Sequence, residues 1–283
     1  MNNDTRQQRA EISINYPPDF QSTYGYTCPV ATHIDQIFKS KLSKQREFLS
    51  LIANHKVPLS AIPYDAAEES SEARWNQPWF PPLDAMSLYT MIAVNQPTCF
   101  LEIGSGNSTK FANRAIRDNN LNTKIISVDP HPRSEVDVLC SHVIRERLEN
   151  ATGLNAYISK LSENDIVFLD GSHRCFQNSD VTIFFIDVLP AIPDGVIVGI
   201  HDIFWPNDYP PNWLSRYYNE QYVLGAYMLA MGSLFPLEFS CAYMAMHYGN
   251  EIARCLDQEI VSRFEDFQHA ISGGVLWFRK KQL

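Results

Sequence analysis

The stretch FLEIGSGNSTK, residues 100–110, decides how the rest of the chain is interpreted. An apolar run that begins at Cys99 predicts a buried strand, which ends in an acidic residue and two glycines. A helical pattern of apolar residues follows directly. Gly104 and Gly106 let the backbone turn and approach a ligand without an intervening Cβ atom, and the helix start offers unpaired N–H groups. The segment therefore predicts a small-molecule site at the carboxyl end of a parallel strand.

The spacing of the glycines limits the choice of ligand. A dinucleotide-binding fingerprint needs G-x-G-x-x-G, and Thr109 stands where its third glycine would be. A P-loop is excluded because Lys110 lacks the preceding G-x-x-x-x-G frame. The remaining pattern, Glu-x-Gly-x-Gly, resembles motif I of the class I S-adenosylmethionine-dependent methyltransferases. A glycine turn in some other α/β domain is the alternative.

The resemblance implies S-adenosylmethionine as the cofactor. In that family the acidic residue and the backbone of the glycine loop hold the methionine part of the cofactor. The residues so assigned here are Glu102, Gly104, Ser105, Gly106 and Ser108, and Asp170 is expected to contact the cofactor as well. The family also assigns Asp129 to the ribose, because one carboxylate can accept both hydroxyls. A turn-forming Asp before Pro130 is the alternative.

From Cys99 onward the chain alternates between strand and helix patterns, which is typical of a parallel α/β sheet. Seven strands are predicted: Cys99–Ile103, Lys124–Val128, a stretch around Val143 and Ile144, Ile166–Leu169, Val196–Ile200, Leu237–Phe239 and Val275–Phe278. The last two are expected to form a closing, hairpin-like pair. The predicted fold is a doubly wound, mostly parallel, seven-stranded Rossmann-like methyltransferase sheet with an N-terminal helical cap.

The chain before this sheet is predicted to be an arm and a cap, residues 1–80, followed by the methyltransferase domain, residues 81–283. Residues 1–30 are polar and then rich in Pro and Tyr, which favours an irregular arm. Apolar spacing predicts one helix over Ile34–Ile52, and residues 57–74 are interpreted as a linker. The aromatic stretch Trp75–Phe80 is expected to serve as packing between cap and core, and a substrate-facing wall is the alternative. We expect the cap to cover the acceptor side of the sheet's carboxyl edge or to form a homo-oligomer contact.

Polar residues follow the predicted strands at the edge where a ligand would bind. The residues at these ends are Glu102, Asp129, Asp170, His201 and Asp202. The last three resemble the metal site of catechol-type and macrocin-type O-methyltransferases, in which an Asp after strand four and an acidic pair after strand five bind Mg²⁺. By position, Asp170 and Asp202 match that set, and His201 stands where an acid is usual.

The histidine changes the expected chemistry. Mg²⁺ prefers oxygen ligands, whereas imidazole suits softer metals such as Zn, Fe, Ni or Mn. Either Asp170, His201 and Asp202 bind a divalent metal, Mg²⁺ or a softer one, or His201 acts as a catalytic base. His173, three residues after Asp170, is a further catalytic candidate, and all four residues could form a non-haem iron site. A histidine hydrogen-bonded within the sheet edge is the structural alternative.

Composition excludes several classes of protein. The net charge of −9 and the lack of a dense Lys/Arg run argue against a nucleic-acid partner. The six cysteines form no C-x-x-C pair, which favours a reducing compartment. No apolar run approaches the roughly 18 residues of a membrane span, and the polar N-terminus lacks a signal-peptide core. We therefore expect a cytoplasmic protein without a membrane partner.

The sequence thus predicts a methyltransferase that acts on a hydroxyl of a sugar or other small-molecule acceptor, with or without a divalent metal. A metal-dependent oxygenase or hydrolase on the same fold is one alternative, and a non-catalytic S-adenosylmethionine-binding protein is the other. Gly104→Val is expected to block the cofactor and to leave the fold largely intact.

Overall fold

The computed structural model describes residue 15 and residues 21–67, 70–132 and 136–281. Most of the predicted N-terminal arm therefore lies outside the described residues. The strands are β1 (Cys99–Ile103), β2 (Lys124–Val128), β3 (His142–Ile144), β4 (Ile166–Leu169), β5 (Ile197–Ile200), β6 (Leu237–Ser240) and β7 (Leu276–Arg279). The α-helices of these ranges are α1 (Thr32–Ser40), α2 (Leu42–Asn54), α3 (Lys56–Ser60), α4 (Pro82–Asn95), α5 (Asn107–Asp118), α6 (Asn155–Ile158), α7 (Asp180–Ile183), α8 (Leu189–Ala191), α9 (Glu220–Met231), α10 (Cys241–Ala253), α11 (Gln258–Val261) and α12 (Phe267–Ile271).

The strands form one seven-stranded sheet in the order β3-β2-β1-β4-β5-β7-β6. Strands β1 to β5 pair in parallel, and β7 runs antiparallel to both β5 and β6. The chain reverses its direction of travel across the sheet between β1 and β4, and this switch point is where open α/β sheets bind ligands. The predicted fold class and mostly parallel sheet are confirmed.

The centre of the sheet forms the core. Strands β4 and β5 are buried over their whole length, as expected for parallel strands with both faces covered. The predicted pairing of the last two strands is also found, but they do not form a tight hairpin. Helices α10, α11 and α12 lie between β6 and β7 in the chain.

The single helix predicted over Ile34–Ile52 is wrong, because the structure has two helices, α1 and α2. Lys41 separates them with φ −111° and ψ 13°, outside the helical region. The Nε2 of Gln45 donates to the carbonyl oxygen of Phe38 at 3.2 Å, so this break leaves that carbonyl paired. Helix α2 packs against α4 and β6, where Lys44 pairs with Glu238 at 2.6 Å. The segment interpreted as a linker also contains the short helix α3.

The aromatic stretch Trp75–Phe80 begins beside the residues that follow α3 and ends at the carboxyl edge of the sheet. Trp75 and Phe80 are buried, in agreement with a packing role, and the ring of Phe80 lies 5.4 Å from the ring of His201. Trp79 is 54% exposed at the rim of the cavity described below. In the described ranges, none of the helices combines the length and the apolar composition that crossing a membrane requires.

Candidate active site at the carboxyl edge of the sheet

A cavity of about 670 Å³ opens at the carboxyl ends of β1, β2 and β4. Its size lies within the range of small-molecule sites. The lining comes from Trp79 and Phe80, the loop 103–108, residues 128–131, residues 147–149, residues 170–172 and residues 176–180. All of the predicted cofactor residues except Glu102 line this cavity, and Glu102 lies buried on β1 beneath the loop.

The two loop glycines are required for different reasons. Gly104 has φ +81°, and a Cβ atom there would lie 1.8 Å from the carbonyl oxygen of Asp170. The loop therefore packs directly on the backbone that follows β4. A Cβ atom at Gly106 would meet no neighbouring heavy atom within 4 Å, so this Cα faces open space. The expectation that Gly104→Val leaves the fold intact is wrong, and Gly106 is the position at which a side chain would enter the cleft.

Asp129 is held in place by the backbone. Its Oδ2 accepts the N–H of Ser105 at 2.8 Å, and its Oδ1 accepts the N–H of His131 at 2.7 Å. Each carboxylate oxygen can accept a second hydrogen bond. This arrangement fits a pair of ribose hydroxyls, which the sequence predicted as the ligand of this residue.

Glu102 is fully buried, and one of its oxygens accepts the Thr109 hydroxyl at 2.5 Å. Its other oxygen, Oε1, is buried without a hydrogen-bond partner among the described residues. Burial raises the pKa of this carboxyl to about 8. A buried carboxyl group with one oxygen unsatisfied fits a ligand that brings a positive charge, such as the methionine part of the cofactor, which would favour loss of the proton.

A second group of polar side chains lies next to this cleft and shares Asp170 with it. It consists of Asp170, His173, His201 and Asp202, which we call the inner cluster. Asp170 Oδ1 lies 3.1 Å from His201 Nδ1 and 3.4 Å from His173 Nε2. Asp202 completes the group, with Oδ2 at 3.4 Å from His173 Nε2 and Oδ1 at 3.6 Å from His201 Nδ1. The predicted catalytic and metal residues are thus brought together.

Two further acids, which we call the outer pair, contact the far side of each imidazole. Glu220, at the start of α9, lies with Oε1 2.5 Å from His173 Nδ1. Asp84, in the first turn of α4, lies with Oδ2 3.3 Å from His201 Nε2, but the angle there is unsuitable for a hydrogen bond. Both side chains are completely buried. Asp84 also accepts the N–H groups of Gly274 and Val275 at 2.7–2.8 Å.

This arrangement places four carboxyl groups around two buried imidazoles. Burial by itself lowers the pKa of His173, but Glu220, Asp202 and Asp170 outweigh it and raise the pKa to about 9. Burial also lowers the pKa of His201, but Asp170 and Asp202 outweigh it and raise this pKa well above its usual value. Burial raises the pKa of Glu220 to about 7, against the opposing charge of His173. Without another cation, the protonated imidazoles therefore balance the carboxylates.

The backbone at the inner cluster is strained. His173 has φ +61° and Asp202 has φ +57°, in the left-handed region that residues other than glycine rarely adopt. Each imidazole is also fixed by an aromatic ring, since Tyr218 lies 4.5 Å from His173 and Phe80 lies 5.4 Å from His201. Strain of this kind persists where the surrounding structure holds it, and it is common at functional sites.

The fold and a family model give the same indication for the central part of the chain. A parallel sheet with an acid and a glycine loop after β1, and a second acid after β2, is the architecture of a class I methyltransferase. A family model described as "Methyltransferase domain" matches residues 101–203, which run from β1 through β5 to the inner cluster. Residues 101–203 therefore match a methyltransferase domain, and the residues that the resemblance assigns to S-adenosylmethionine, apart from Glu102, line a single cleft.

Several solved structures are similar to the chain. MycE, a methyltransferase of mycinamycin biosynthesis in complex with Mg, SAH and mycinamycin VI, is 21% identical over 45% of this chain and 39% of its own, with a TM-score of 0.32. SAH-bound PaMTH1 of Podospora anserina is 15% identical over 73% and 90%, with a TM-score of 0.37. An O-methyltransferase from Bacillus cereus in complex with SAH is 16% identical over 68% and 85%, with a TM-score of 0.33. The match thus covers 39% of the length of that MycE chain, and the comparison with curated proteins gives no match.

Sequence reasoning missed three acids that organise the site. Asp84 and Glu220 lie on helices rather than at strand ends, and Asp180 fixes the loop after β4 through both the N–H and the hydroxyl of Ser172. The one available signal for Asp84 was an acid within an otherwise apolar helix. Nothing in the sequence near Glu220 indicates that it contacts His173, which is 47 residues away.

Proposed function

We propose that the chain transfers the methyl group of S-adenosylmethionine to a hydroxyl of a sugar or another small metabolite, with a divalent cation at the inner cluster. The observation that carries the proposal is the position of Asp170. Its backbone packs against the glycine loop and the residue lines the cofactor cleft, while its carboxylate belongs to the inner cluster. An acceptor bound at the cluster would therefore lie beside the cofactor.

The burial of the cluster indicates how an acceptor would approach. The side chains of His173, His201 and Asp202 are at most 9% exposed, whereas that of Asp170 is 20% exposed and faces the cleft. Access from the Asp170 side would orient the acceptor hydroxyl toward the cofactor and keep bulk water from the other faces. Holding two reactants in this way supplies much of the rate enhancement of a transfer reaction.

The donor set of the inner cluster fits a divalent cation. Two carboxylates and two imidazoles converge within 3.1–3.6 Å, and three of their donor atoms, from Asp170, His173 and His201, all lie within 4.8 Å of one another. When bound, a divalent cation lowers the pKa of a hydroxyl that coordinates it. Asp170 and Asp202 would supply negative charge, and the imidazoles would supply nitrogen donors.

The role of His201 as a free base is less well supported. A general base must be unprotonated at the working pH. The neighbouring carboxylates raise the pKa of His201 well above its usual value, so the imidazole is protonated near neutral pH when no other cation is present. The same carboxylates would also attract a metal ion. A bound metal ion would displace the proton of His201 and leave the imidazole free to act as a ligand.

The rival function is a metal-dependent oxygenase on the same fold. The specific observation in its favour is the mixture of two imidazoles with carboxylates, which Fe(II) oxygenases also use. The cofactor cleft beside the cluster argues for methyl transfer.

Methyl transfer is tested with S-adenosylmethionine that carries an isotopically labelled methyl group. The full chain is incubated with a panel of sugars, catechols and aliphatic alcohols, with and without a chelator, and the products are identified by mass spectrometry. We expect a labelled methyl ether in at least one class, lost with the chelator and restored by a divalent metal. Transfer to nitrogen or carbon acceptors only, or unchanged transfer with the chelator and no bound metal, would contradict the proposal.

A further inference from the structure

The geometry of the inner cluster indicates which kind of metal it would hold. That a cation binds here rests on the proposed function, whereas the kind of cation follows from the orientation of the two imidazoles. Each imidazole directs one nitrogen inward. His173 directs Nε2 toward Asp170 and Asp202, and His201 directs Nδ1 toward the same two carboxylates.

The outward nitrogens face the outer pair. Glu220 lies 2.5 Å from Nδ1 of His173, so this nitrogen carries the proton and the lone pair of Nε2 points inward when the ring is neutral. Asp84 lies 3.3 Å from Nε2 of His201 without a hydrogen bond, so it favours a proton on that nitrogen through its negative charge alone. A carboxylate behind a metal-binding histidine fixes its tautomer and raises its basicity, and it is a common companion of such ligands. Here both histidines have one.

Asp84 is held in place independently of the histidines, whereas Glu220 is held by its hydrogen bond to His173. Asp84 accepts the backbone N–H groups of Gly274 and Val275, the two residues just before β7. Glu220 sits at the start of α9 with its second oxygen, Oε2, buried and unpaired among the described residues. Burying a carboxylate is costly unless it is paired or hydrogen-bonded. Each of these two carboxylates lies beside an imidazole and can therefore orient it.

We propose that the inner cluster holds a transition-metal dication such as Fe²⁺, Mn²⁺, Co²⁺ or Zn²⁺ instead of Mg²⁺, and that the outer pair positions its two nitrogen ligands. Mg²⁺ demands oxygen donors and usually retains several waters. Two oriented imidazoles with two carboxylates are donors of the kind that borderline transition metals prefer.

The test measures metal binding, not turnover. The full chain, free of any histidine tag and stripped with a chelator, is titrated with CoCl₂ and separately with MgCl₂. Co²⁺ binding is followed by its visible absorption and by calorimetry. We expect one Co²⁺ per chain and an affinity for Co²⁺ at least 100-fold higher than for Mg²⁺. In the double variant H173Q/H201Q, this ratio should fall by at least 10-fold.

The positioning role of the outer pair is tested with Glu220→Gln and Asp84→Asn. Each should weaken Co²⁺ binding by about 10- to 100-fold. His33→Gln, which alters an exposed histidine on α1, is the matched control and should bind Co²⁺ like the unaltered chain. Titration with S-adenosylhomocysteine and near-ultraviolet circular dichroism check that each variant is folded. If Asp84→Asn does not fold, Glu220→Gln still tests the proposal.

Equal affinity for Mg²⁺ and Co²⁺, Co²⁺ binding that is unaffected by the outer-pair variants, or no binding of either ion at millimolar concentration would overturn the inference. These outcomes are distinct from failure of the proposed function. If the chain binds Co²⁺ as described but methylates no hydroxyl, the metal site is supported and the proposed methyl transfer is contradicted.

Discussion

Asp170 Oδ1 lies 3.1 Å from Nδ1 of His201, although 31 residues separate them in the chain. The contact follows from the sheet, because β4 and β5 are parallel neighbours in which Leu169 pairs with Ile200. The next residue of each strand must therefore lie at the same edge. This contact joins the cleft proposed for the cofactor to the inner cluster.

The two inner carboxylates should have separable roles. Asp202→Asn should lower kcat by at least 100-fold and leave the Kd for S-adenosylmethionine unchanged, because Asp202 does not line the cleft. Asp170→Asn should alter both quantities, because Asp170 lines it. Steady-state kinetics and calorimetry measure the two effects. Equal effects of both variants on cofactor affinity would show that the cleft and the cluster are not arranged as described.

The two loop glycines should respond differently to substitution. Gly106→Val should abolish measurable cofactor binding, since its methyl groups enter open space in the cleft. Its cost in stability should be on the order of 1 kcal/mol, because residue 106 is the N-cap of α5. Gly104→Val should unfold the protein or destabilise it by several kcal/mol, since φ is positive and Asp170 blocks the side chain. Calorimetry and thermal unfolding distinguish them, and wild-type affinity in Gly106→Val would refute the assignment of the cleft.

Much of the fold could be predicted because strands and glycine loops leave strong local signals. The buried strands β1, β2, β4 and β5 are short apolar runs that end in polar residues, and parallel pairing places those ends at one edge. Asp129, Asp170 and His201 could therefore be predicted to lie at the carboxyl edge of the sheet. The break at Lys41 could not be predicted, because the apolar period continues from α1 into α2 without a proline or glycine.

The parts of the site that sequence reasoning missed depend on tertiary contacts. Asp84 and Glu220 are distant in the chain from the histidines they contact, and only the packing of α4 and α9 brings them there. The glycine pattern at residues 104–106 likewise identified a loop but not its neighbours. The contact between Gly104 and the backbone of Asp170 exists only once β1 and β4 are paired.

Glu102 should lower the stability of the cofactor-free protein while it supports cofactor binding. Its folded-state pKa of about 8 lies above its unfolded value, so between about pH 4.5 and 8 the folded state retains a proton that the unfolded state releases. The contribution of this group therefore becomes less favourable as pH rises through that window. Glu102→Gln should stabilise the cofactor-free protein at pH 7 by on the order of 2 kcal/mol and weaken cofactor binding.

Thermal unfolding of both proteins from pH 5 to 8 measures this effect. The difference in stability between Glu102→Gln and the unaltered chain should grow with pH. The matched control is Glu238→Gln on β6, whose carboxyl pairs with Lys44 outside the cleft. A difference that is constant across the pH range would show that Glu102 does not titrate in this window.

The most direct test of the account is a crystal structure of the full chain with S-adenosylhomocysteine and Co²⁺, with the metal located by its anomalous scattering. The account predicts the cofactor between the glycine loop and Asp129. It also predicts one anomalous peak within bonding distance of Asp170 and His173, with the cofactor sulfur less than about 8 Å from the metal, as in-line transfer to a bound hydroxyl requires. An anomalous peak away from Asp170, or a cofactor bound outside this cleft, would contradict it.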